Sequence, residues 1–427
     1  MRTVPRENCL RRSSGRAALV AREGRRQKGH SVIPVLRIVL WVGLLTVADS
    51  NWAQVRTAPD SRRQEALALE KQGKNAEAED AWRAYLKDHA SSPEAYAHLG
   101  LLESRQEHYK EAAPLYRKAL KLGPDVPGLR LNLGLALFKS GDLKEAIEEF
   151  SILLKAQPDN QQLNTLIGMA HYGLAEYKDA VPFLSVAAAH DAKNLPLRLA
   201  LAHSCLWSKQ NQCVLEVYRE ILDLDPNSAE ADMVAGEALD EMKDNAGSTK
   251  MFRAAVKANP KEPNVHFGLG YLLWTQKQYK EAAIEFQAEL ANDPNHVQAM
   301  LYLGDADIQM NQMDEAKPLL ERVVKLNPSL GLGHLDLGII YVESDHNTEA
   351  LRQFNLAEKL TPDDVNVHWR LGRLYRAMGR KDEAKAEFDK ANALNKAADD
   401  ANYKKIANGQ AHHDQTQGVP ATPSDVK

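Results

Sequence analysis

The sequence predicts an all-α protein built from helical hairpins that repeat along the chain. The first observation is a small residue that returns every 34 positions, with no insertion or deletion between the copies. Eight of the ten copies are glycine and two are alanine: Ala66, Gly100, Gly134, Gly168, Ala202, Gly236, Gly270, Gly304, Gly338 and Gly372. A fixed period of about 20 to 50 residues is typical of repeat architectures.

The second observation is that two further positions keep the same period. Repeats that begin at residues 59, 93, 127, 161, 195, 229, 263, 297, 331 and 365 place this small residue at position 8. Position 20 is alanine in eight repeats, and position 24 is a large ring or leucine: Trp82, Tyr116, Phe150, Leu184, Tyr218, Phe252, Phe286, Leu320, Phe354 and Phe388. Glycine within a helix costs about 1 kcal/mol relative to alanine. We therefore expect position 8 to let a second helix approach, position 20 to be its small partner, and the ring to fill the gap between neighbouring hairpins.

The third observation concerns the ends of the helices. Position 32 is proline in seven repeats: Pro124, Pro158, Pro226, Pro260, Pro294, Pro328 and Pro362. Because proline cannot continue a helix, it predicts the turn into the next repeat. Short polar stretches such as KSGDL, TQKQY, ESDHN and AMGRK lie between the two helices of a repeat. Each repeat is therefore predicted as a helix, a tight turn and an antiparallel helix.

This pattern resembles the tetratricopeptide repeat family over residues 59–398. The resemblance implies a right-handed superhelical α-solenoid of about ten 34-residue helix-turn-helix repeats, whose first helices line a concave groove. It also implies a protein that binds other proteins and performs no chemistry. The fifth and sixth repeats depart most from the pattern, with Ala202, Val214 and Ser248 at the small-residue positions, so we expect looser packing and room for a hinge there.

The two ends of the chain differ from the repeats. Residues 399–408 predict a polar C-terminal capping helix, and residues 409–427 lack apolar periodicity and predict a disordered tail. Residues 1–53 predict a basic leader with a secretory signal peptide. Residues 1–37 carry ten Arg or Lys and two Asp or Glu, a net charge of +8, so the rest of the chain has a net charge of −12.

An apolar run, IVLWVGLLTVA, follows Arg37 and is short for a membrane span, which needs about 20 residues. We expect a signal peptide at about residues 30–53, cleaved after Ala53 or after Ala48, and hence a periplasmic or secreted protein. The alternatives are an uncleaved, membrane-anchoring segment and a cytoplasmic protein whose leader only resembles a signal.

Cys205 and Cys213 lie on either side of the turn of the fifth repeat, eight residues apart. Antiparallel helices bring such positions close together, and an oxidising compartment permits a disulfide between them. The alternative is a pair of small buried hydrophobic residues, because free cysteine usually behaves as one.

Sequence signatures of catalysis are absent from the chain. HExxH, GxSxG, GxxxxGK[ST] and paired CxxC do not occur. We therefore predict no enzyme, no cofactor and no metal site. The histidines of the tail and of the first helices are interpreted as solvated or packing residues: His203, His266, His334, His368, His412 and His413. Because phosphate binding needs a basic surface, the net negative charge after the leader argues against nucleic acid.

The residues predicted to bind a partner lie on the first helices, at positions that face the groove in the family. They are Leu135, Phe138, Met169, Tyr172, His203, Trp207, Phe267, Tyr271 and Trp274. A partly apolar groove would bind a helix or an extended peptide through aromatic and arginine anchors. The alternative is that many of these side chains pack against the next repeat.

The last repeat adds a basic cluster, formed by Trp369, Arg370, Arg373 and Arg376. Arginines three residues apart lie near one another on a helix and could hold an anionic group through paired hydrogen bonds. The alternatives are a solvated basic face and a set of charges that balances the acidic sixth repeat.

The sequence therefore favours a non-catalytic protein–protein interaction scaffold, exported to the bacterial cell envelope, with a partner helix or extended peptide in its groove. The alternative is an accessory subunit of an envelope polysaccharide or secretion machine that contacts a membrane enzyme. A third hypothesis, the recognition arm of a glycan-modifying enzyme, needs a catalytic domain that the sequence lacks. Membrane association through the N-terminal apolar segment stays open.

Overall fold

The computed structural model describes residues 61–416 except Asp125 and Pro127, with side chains through residue 400. These residues form twenty α-helices and no strand. The predicted leader, the signal peptide with its cleavage sites, and residues 417–427 of the predicted tail lie outside them. Within the described residues the fold is all-α, as predicted, and it consists of antiparallel hairpins.

The helices form two compact units, residues 61–259 and residues 260–416. The first unit contains six hairpins, formed by α1 (Ser61–Lys71), α2 (Asn75–Asp88), α3 (Pro93–Arg105), α4 (Tyr109–Leu122), α5 (Leu129–Ser140), α6 (Leu143–Ala156), α7 (Gln161–Gly173), α8 (Tyr177–His190), α9 (Leu195–Trp207), α10 (Asn211–Leu224), α11 (Ala229–Glu241) and α12 (Asn245–Ala258). The division follows the fifth and sixth repeats, the two that depart most from the sequence pattern.

The second unit contains four hairpins. They are formed by α13 (Val265–Thr275), α14 (Tyr279–Asn292), α15 (Val297–Gln309), α16 (Met313–Leu326), α17 (Gly331–Glu343), α18 (Asn347–Leu360), α19 (Val365–Ala377) and α20 (Lys381–Thr416). Within each unit several adjacent first helices contact one another, as α7 does with α9 and α15 does with α17. These contacts place the first helices side by side in a layer on which a groove can be built.

The glycine at position 8 makes room for the ring at position 24 of its own repeat. A β-carbon built on Gly134 would lie 2.5 Å from Cε1 of Phe150, and one on Gly270 would lie 2.8 Å from Cδ1 of Phe286. The side chain at position 24 is also the closest at Gly100, Gly168, Gly236, Gly304, Gly338 and Gly372, and it is leucine in the repeats of Gly168 and Gly304. This corrects one assignment from the sequence, because the closest neighbour of the glycine is the side chain at position 24 and not the alanine of position 20. The same ring also reaches the next hairpin, as Trp82 does by stacking on His98 at 4.7 Å.

The turn between the two helices of each repeat has a fixed conformation. Residue 15 of all ten repeats has positive φ, as Gly141 (φ 90°) and Ala175 (φ 59°) illustrate. The backbone N–H of position 16 donates a hydrogen bond to the backbone carbonyl of position 11. For example, the N–H of Glu176 donates to the carbonyl oxygen of His171 over 2.9 Å. This is the hydrogen bond of a Schellman helix end. Seven repeats have a residue other than glycine at position 15, and such residues seldom adopt this conformation.

A side-chain contact joins positions 4 and 23 in several repeats. His266 Nδ1 lies 2.6 Å from Glu285, and His334 Nδ1 lies 2.7 Å from Gln353. His368 contacts Glu387 in the same way, and Arg130 forms an ion pair with Glu149. In the eighth repeat both positions are apolar, Met300 and Leu319. The histidines of the first helices are thus packing residues with hydrogen-bond partners.

The last helix differs from its prediction. α20 runs without a break from Lys381 to Thr416, so residues 399–408 form no separate capping helix, and residues 409–416 of the predicted disordered tail are helical. Position 32 of the tenth repeat explains the continuation, because Lys396 takes the place of the proline that ends seven earlier repeats. No helix among the described residues is long and apolar enough to cross a membrane.

Candidate partner-binding groove

Five of the predicted groove residues are buried within the helical layers. They are Phe138, Met169, His203, Phe267 and Tyr271. Phe138 and Met169 belong to the hydrophobic core of the first unit, where Phe138 packs against the Phe150 ring. Phe138 and Met169 are therefore core residues that offer little surface to a partner.

The first unit presents an aromatic cluster on its first helices. Trp207 of α9 is half-buried, with its ring centroid 4.4 Å from Tyr177 and 5.0 Å from His203. The half-buried ring of Tyr172 on α7 lies 6.1 Å from Trp207. Nε2 of His203 lies 2.7 Å from Glu230 on α11. Three successive first helices thus contribute to one surface, and Leu135 is half-buried one repeat earlier, on α5.

A disulfide links the helix that carries Trp207 to the second helix of its repeat. Cys205 and Cys213 are bonded, with a Cα–Cα distance of 5.9 Å, and they join α9 to α10 across the turn of the fifth repeat. Cys205 is fully buried and Cys213 is half-buried. Because Cys205 lies two residues before Trp207, the covalent link holds the helix that carries the indole.

The second unit presents a second aromatic cluster, centred on Trp274 of α13. The Trp274 ring lies 5.0 Å from Tyr302 of α15 and 5.9 Å from Tyr271, and Phe267 packs against Tyr271 at 6.2 Å. The indole Nε1 of Trp274 donates to Oδ2 of Asp305 over 2.5 Å. This hydrogen bond fixes the orientation of a half-buried indole on a first helix.

Two carboxyl groups, those of Asp305 and Asp336, are buried on the first helices that follow α13. Burial raises the pKa of Asp305, against the hydrogen bonds from Trp274 and Gln309. Burial raises the pKa of Asp336 on α17 well above its ordinary value, aided by Asp305 and opposed by Arg370. Asp305 and Asp336 were not among the sequence-predicted site residues. They lie 31 residues apart, so a comparison of identical positions at the 34-residue period does not align them.

The basic cluster of the last repeat divides into separate contacts. Arg370 acts electrostatically on Asp336, and Arg376 lies over the Phe388 ring at 5.5 Å. Trp369 packs against the same ring at 4.9 Å, while Arg373 is exposed. Arg370 and Arg376 of α19 therefore interact with different residues, Asp336 of α17 and Phe388 of α20.

Two clusters of histidine and acidic side chains among the described residues could bind a metal ion. His171, Glu176 and Asp179 bring ligand atoms within 4.8 Å of one another, as do Glu358, His368 and Glu387. In the second cluster Lys390 Nζ lies 2.8 Å from both glutamates, so a lysine already supplies the positive charge.

Family models described as tetratricopeptide repeat match several parts of the chain. One matches residues 105–170 and 273–330, a second matches residues 63–128 and 239–297, and a third matches residues 365–397. Together the matches take in more than half of the chain. The chain belongs to the tetratricopeptide repeat family. The resemblance inferred from the sequence is thereby confirmed, and proteins of this family bind other proteins or peptides.

Two curated relatives share part of these repeats. Anaphase-promoting complex subunit 3 of Schizosaccharomyces pombe is 24% identical over 222 residues, which cover 48% of this chain and 33% of the relative. Protein bimA of Emericella nidulans is 26% identical over 130 residues, covering 29% of this chain and 16% of the relative. The matched region thus spans a third or less of either relative.

Solved structures of tetratricopeptide proteins are similar over shorter arrays. PilF of Pseudomonas aeruginosa is 18% identical with a TM-score of 0.41, covering 46% of this chain and 89% of that chain. YrrB, described as a TPR protein with an unusual peptide-binding site, is 19% identical with a TM-score of 0.36, covering 42% and 91%. MamA of Desulfovibrio magneticus is 20% identical with a TM-score of 0.36, covering 40% and 96%.

Proposed function

We propose that this protein is a non-catalytic scaffold whose first helices bind a helix or an extended peptide of a partner protein. The observation that carries the proposal is a pair of half-buried indoles, Trp207 and Trp274, held in place by neighbouring side chains on first helices of their respective units. Aromatic side chains of this kind dominate many interfaces. Because neighbours already fix both rings, a partner does not have to order them on binding.

We also propose export to the cell envelope. The basic leader and its apolar run support this localisation, and the link between Cys205 and Cys213 suits an oxidising compartment. An uncleaved leader would keep the repeats at the membrane surface. N-terminal sequencing of the protein from its native host tests cleavage: a mature end at residue 49 or 54 supports export, and an intact leader on soluble protein contradicts it.

A role as one component of a larger assembly is the second candidate. The curated relative from Schizosaccharomyces pombe is by its name a subunit of a complex. Together with the leader, this favours an accessory subunit of an envelope polysaccharide or secretion machine. Affinity capture from membrane and soluble fractions separates the two candidates, because a single stoichiometric membrane enzyme would support the accessory role.

The decisive experiment removes the indoles. Trp207→Ala and Trp274→Ala, singly and together, should weaken capture of the partner at least about tenfold, since truncation of an interface anchor costs about 2 kcal/mol or more. Ile284→Ala is the matched control, because Ile284 is a large apolar side chain, 64% exposed, on the second helix α14. If the double variant folds and captures partner as the wild type does, the groove is not the binding surface.

A further inference from the structure

A pair of carboxyl groups is buried on adjacent first helices of the second unit. Asp305 of α15 is 6% exposed and Asp336 of α17 is 1% exposed. α15 and α17 contact each other, and the two carboxyl groups interact electrostatically. A buried acidic side chain costs free energy unless hydrogen bonds or an opposite charge compensate it.

The two carboxyl groups are compensated unequally. Asp305 accepts hydrogen bonds from Trp274 Nε1 (2.5 Å) and from Gln309 Nε2 (3.3 Å). Oδ2 of Asp336, in contrast, has no hydrogen-bond partner among the described residues. Two further carboxyl groups act on Asp336, those of Asp305 and Asp364, and Arg370 is the cation that opposes them. The free protein therefore keeps an acceptor oxygen buried and unused, a costly arrangement that calls for an explanation.

The groups around Asp305, whose charge acts on Asp336, suit a cation. The half-buried indole of Trp274 donates to Asp305, and the Tyr302 ring packs edge-on against that indole with a centroid distance of 5.0 Å. Aromatic faces attract ammonium and guanidinium groups, and carboxylates bind them through charge-assisted hydrogen bonds. The net charge of −12 over residues 38–427 favours association with a basic partner.

We propose that Asp305, Asp336 and the Trp274 indole form a specificity pocket for a lysine or arginine side chain of the bound peptide. The inference rests on the proposed function, since the peptide that brings this side chain is the partner of the groove. The incoming cation supplies Asp336 with the partner that it lacks in the free protein. The aliphatic stem of the same side chain packs on the indole.

The test uses a display library of random 16-residue peptides, selected on the full chain. Peptides that bind the wild type are expected to share a lysine or arginine. Replacement of that residue by norleucine should weaken binding at least about tenfold, because loss of one partner of a buried charge pair costs about 2–5 kcal/mol. Asp336→Asn should remove the preference for a basic residue, and Asp305→Asn should weaken it.

Asp232→Asn is the matched control. Asp232 is also 6% exposed on a first helix, α11 of the first unit, but its Oδ1 already accepts a hydrogen bond from the Tyr218 hydroxyl over 2.7 Å. This variant should select the same basic peptides as the wild type. Circular dichroism verifies that each variant is folded, and Asp336→Asn should be at least as stable as the wild type, since it removes an acidic group that is buried without a partner.

The outcomes separate this inference from the proposed function. Peptides that bind through the groove without a basic preference, or a preference that survives Asp336→Asn, would overturn the pocket and leave the scaffold intact. A library that yields no binder at all would overturn both. A basic preference lost in Asp336→Asn and retained in Asp232→Asn supports the pocket.

Discussion

The ring of Phe150 lies directly against the backbone of Gly134, where a β-carbon would come within 2.5 Å of the ring. Gly134→Ala should therefore lower the free energy of unfolding by about 1–3 kcal/mol through overpacking, although alanine favours the helix. Urea unfolding measures the loss. Gly173→Ala is the control, because its β-carbon meets only the flexible end of Leu143, and equal effects of the two variants would contradict this account.

The turn residue Ala175 has φ 59°, a conformation that costs non-glycine residues about 1–2 kcal/mol. Ala175→Gly should therefore raise the free energy of unfolding by about 1 kcal/mol, and Gly141→Ala at the same repeat position should lower it by a similar amount. Thermal and urea unfolding of both variants provide the measurement. Changes of the same sign would refute the idea that position 15 carries strain.

His334 and Gln353 are buried together, with His334 Nε2 also 3.0 Å from the Pro328 carbonyl. His334→Met alone should destabilise by about 1–3 kcal/mol, because it leaves Gln353 buried without its partner. The double variant His334→Met/Gln353→Leu copies Met300 and Leu319 of the eighth repeat and should recover most of the loss. A double-mutant cycle with no coupling would show that the two side chains act independently.

Asp307 of α15 has its pKa raised to about 6, first by burial and then by the charge of Glu315. Because the unfolded chain ionises Asp307 near pH 4, the stability that the neutral form provides is present below about pH 4 and is lost as the pH rises through about 6. Glu315→Gln should lower the pKa of Asp307 and reduce this loss. Carbon NMR of the carboxyl group follows the titration directly, and an unchanged midpoint would count against the assignment.

The bond between Cys205 and Cys213 closes a loop of eight residues. Loop entropy for this length assigns about 2–3 kcal/mol of stability to the link. Reduction should therefore lower the unfolding temperature of the first unit, while Cys205→Ala/Cys213→Ala should not respond to reductant. A wild-type chain that contains two free thiols before reduction would remove the basis of this prediction.

The 34-residue register could be predicted from the sequence because the same packing requirement recurs from repeat to repeat. A ring at Phe150 needs a glycine at Gly134, and the same pair of requirements recurs through the chain. The positive φ of position 15 was not predicted, because the seven non-glycine residues at this position are of five different types. The sequence offered one indication of this conformation, the glycine at position 15 of three repeats: Gly73, Gly141 and Gly379.

The candidate site was harder to predict than the fold. Phe138 and Trp207 are both aromatic residues near the ends of first helices, yet Phe138 lies in the core and Trp207 is half-buried. The difference comes from neighbouring repeats, which a pattern within one repeat does not contain. Asp305 and Asp336 were missed for the same reason, since their proximity depends on two adjacent helices.

The contacts between positions 4 and 23 have a consequence for how the chain avoids errors of assembly. Hairpins of equal length can exchange partners, and a first helix could pair with the second helix of another repeat. Met300 placed against Glu387 would bury a carboxylate beside a thioether, and His368 placed against Leu319 would lose its acidic neighbour. The differences between these pairs thus favour pairing of each first helix with the second helix of its own repeat. Duplication or shuffling of single repeats would therefore have to transfer the residues at positions 4 and 23 together.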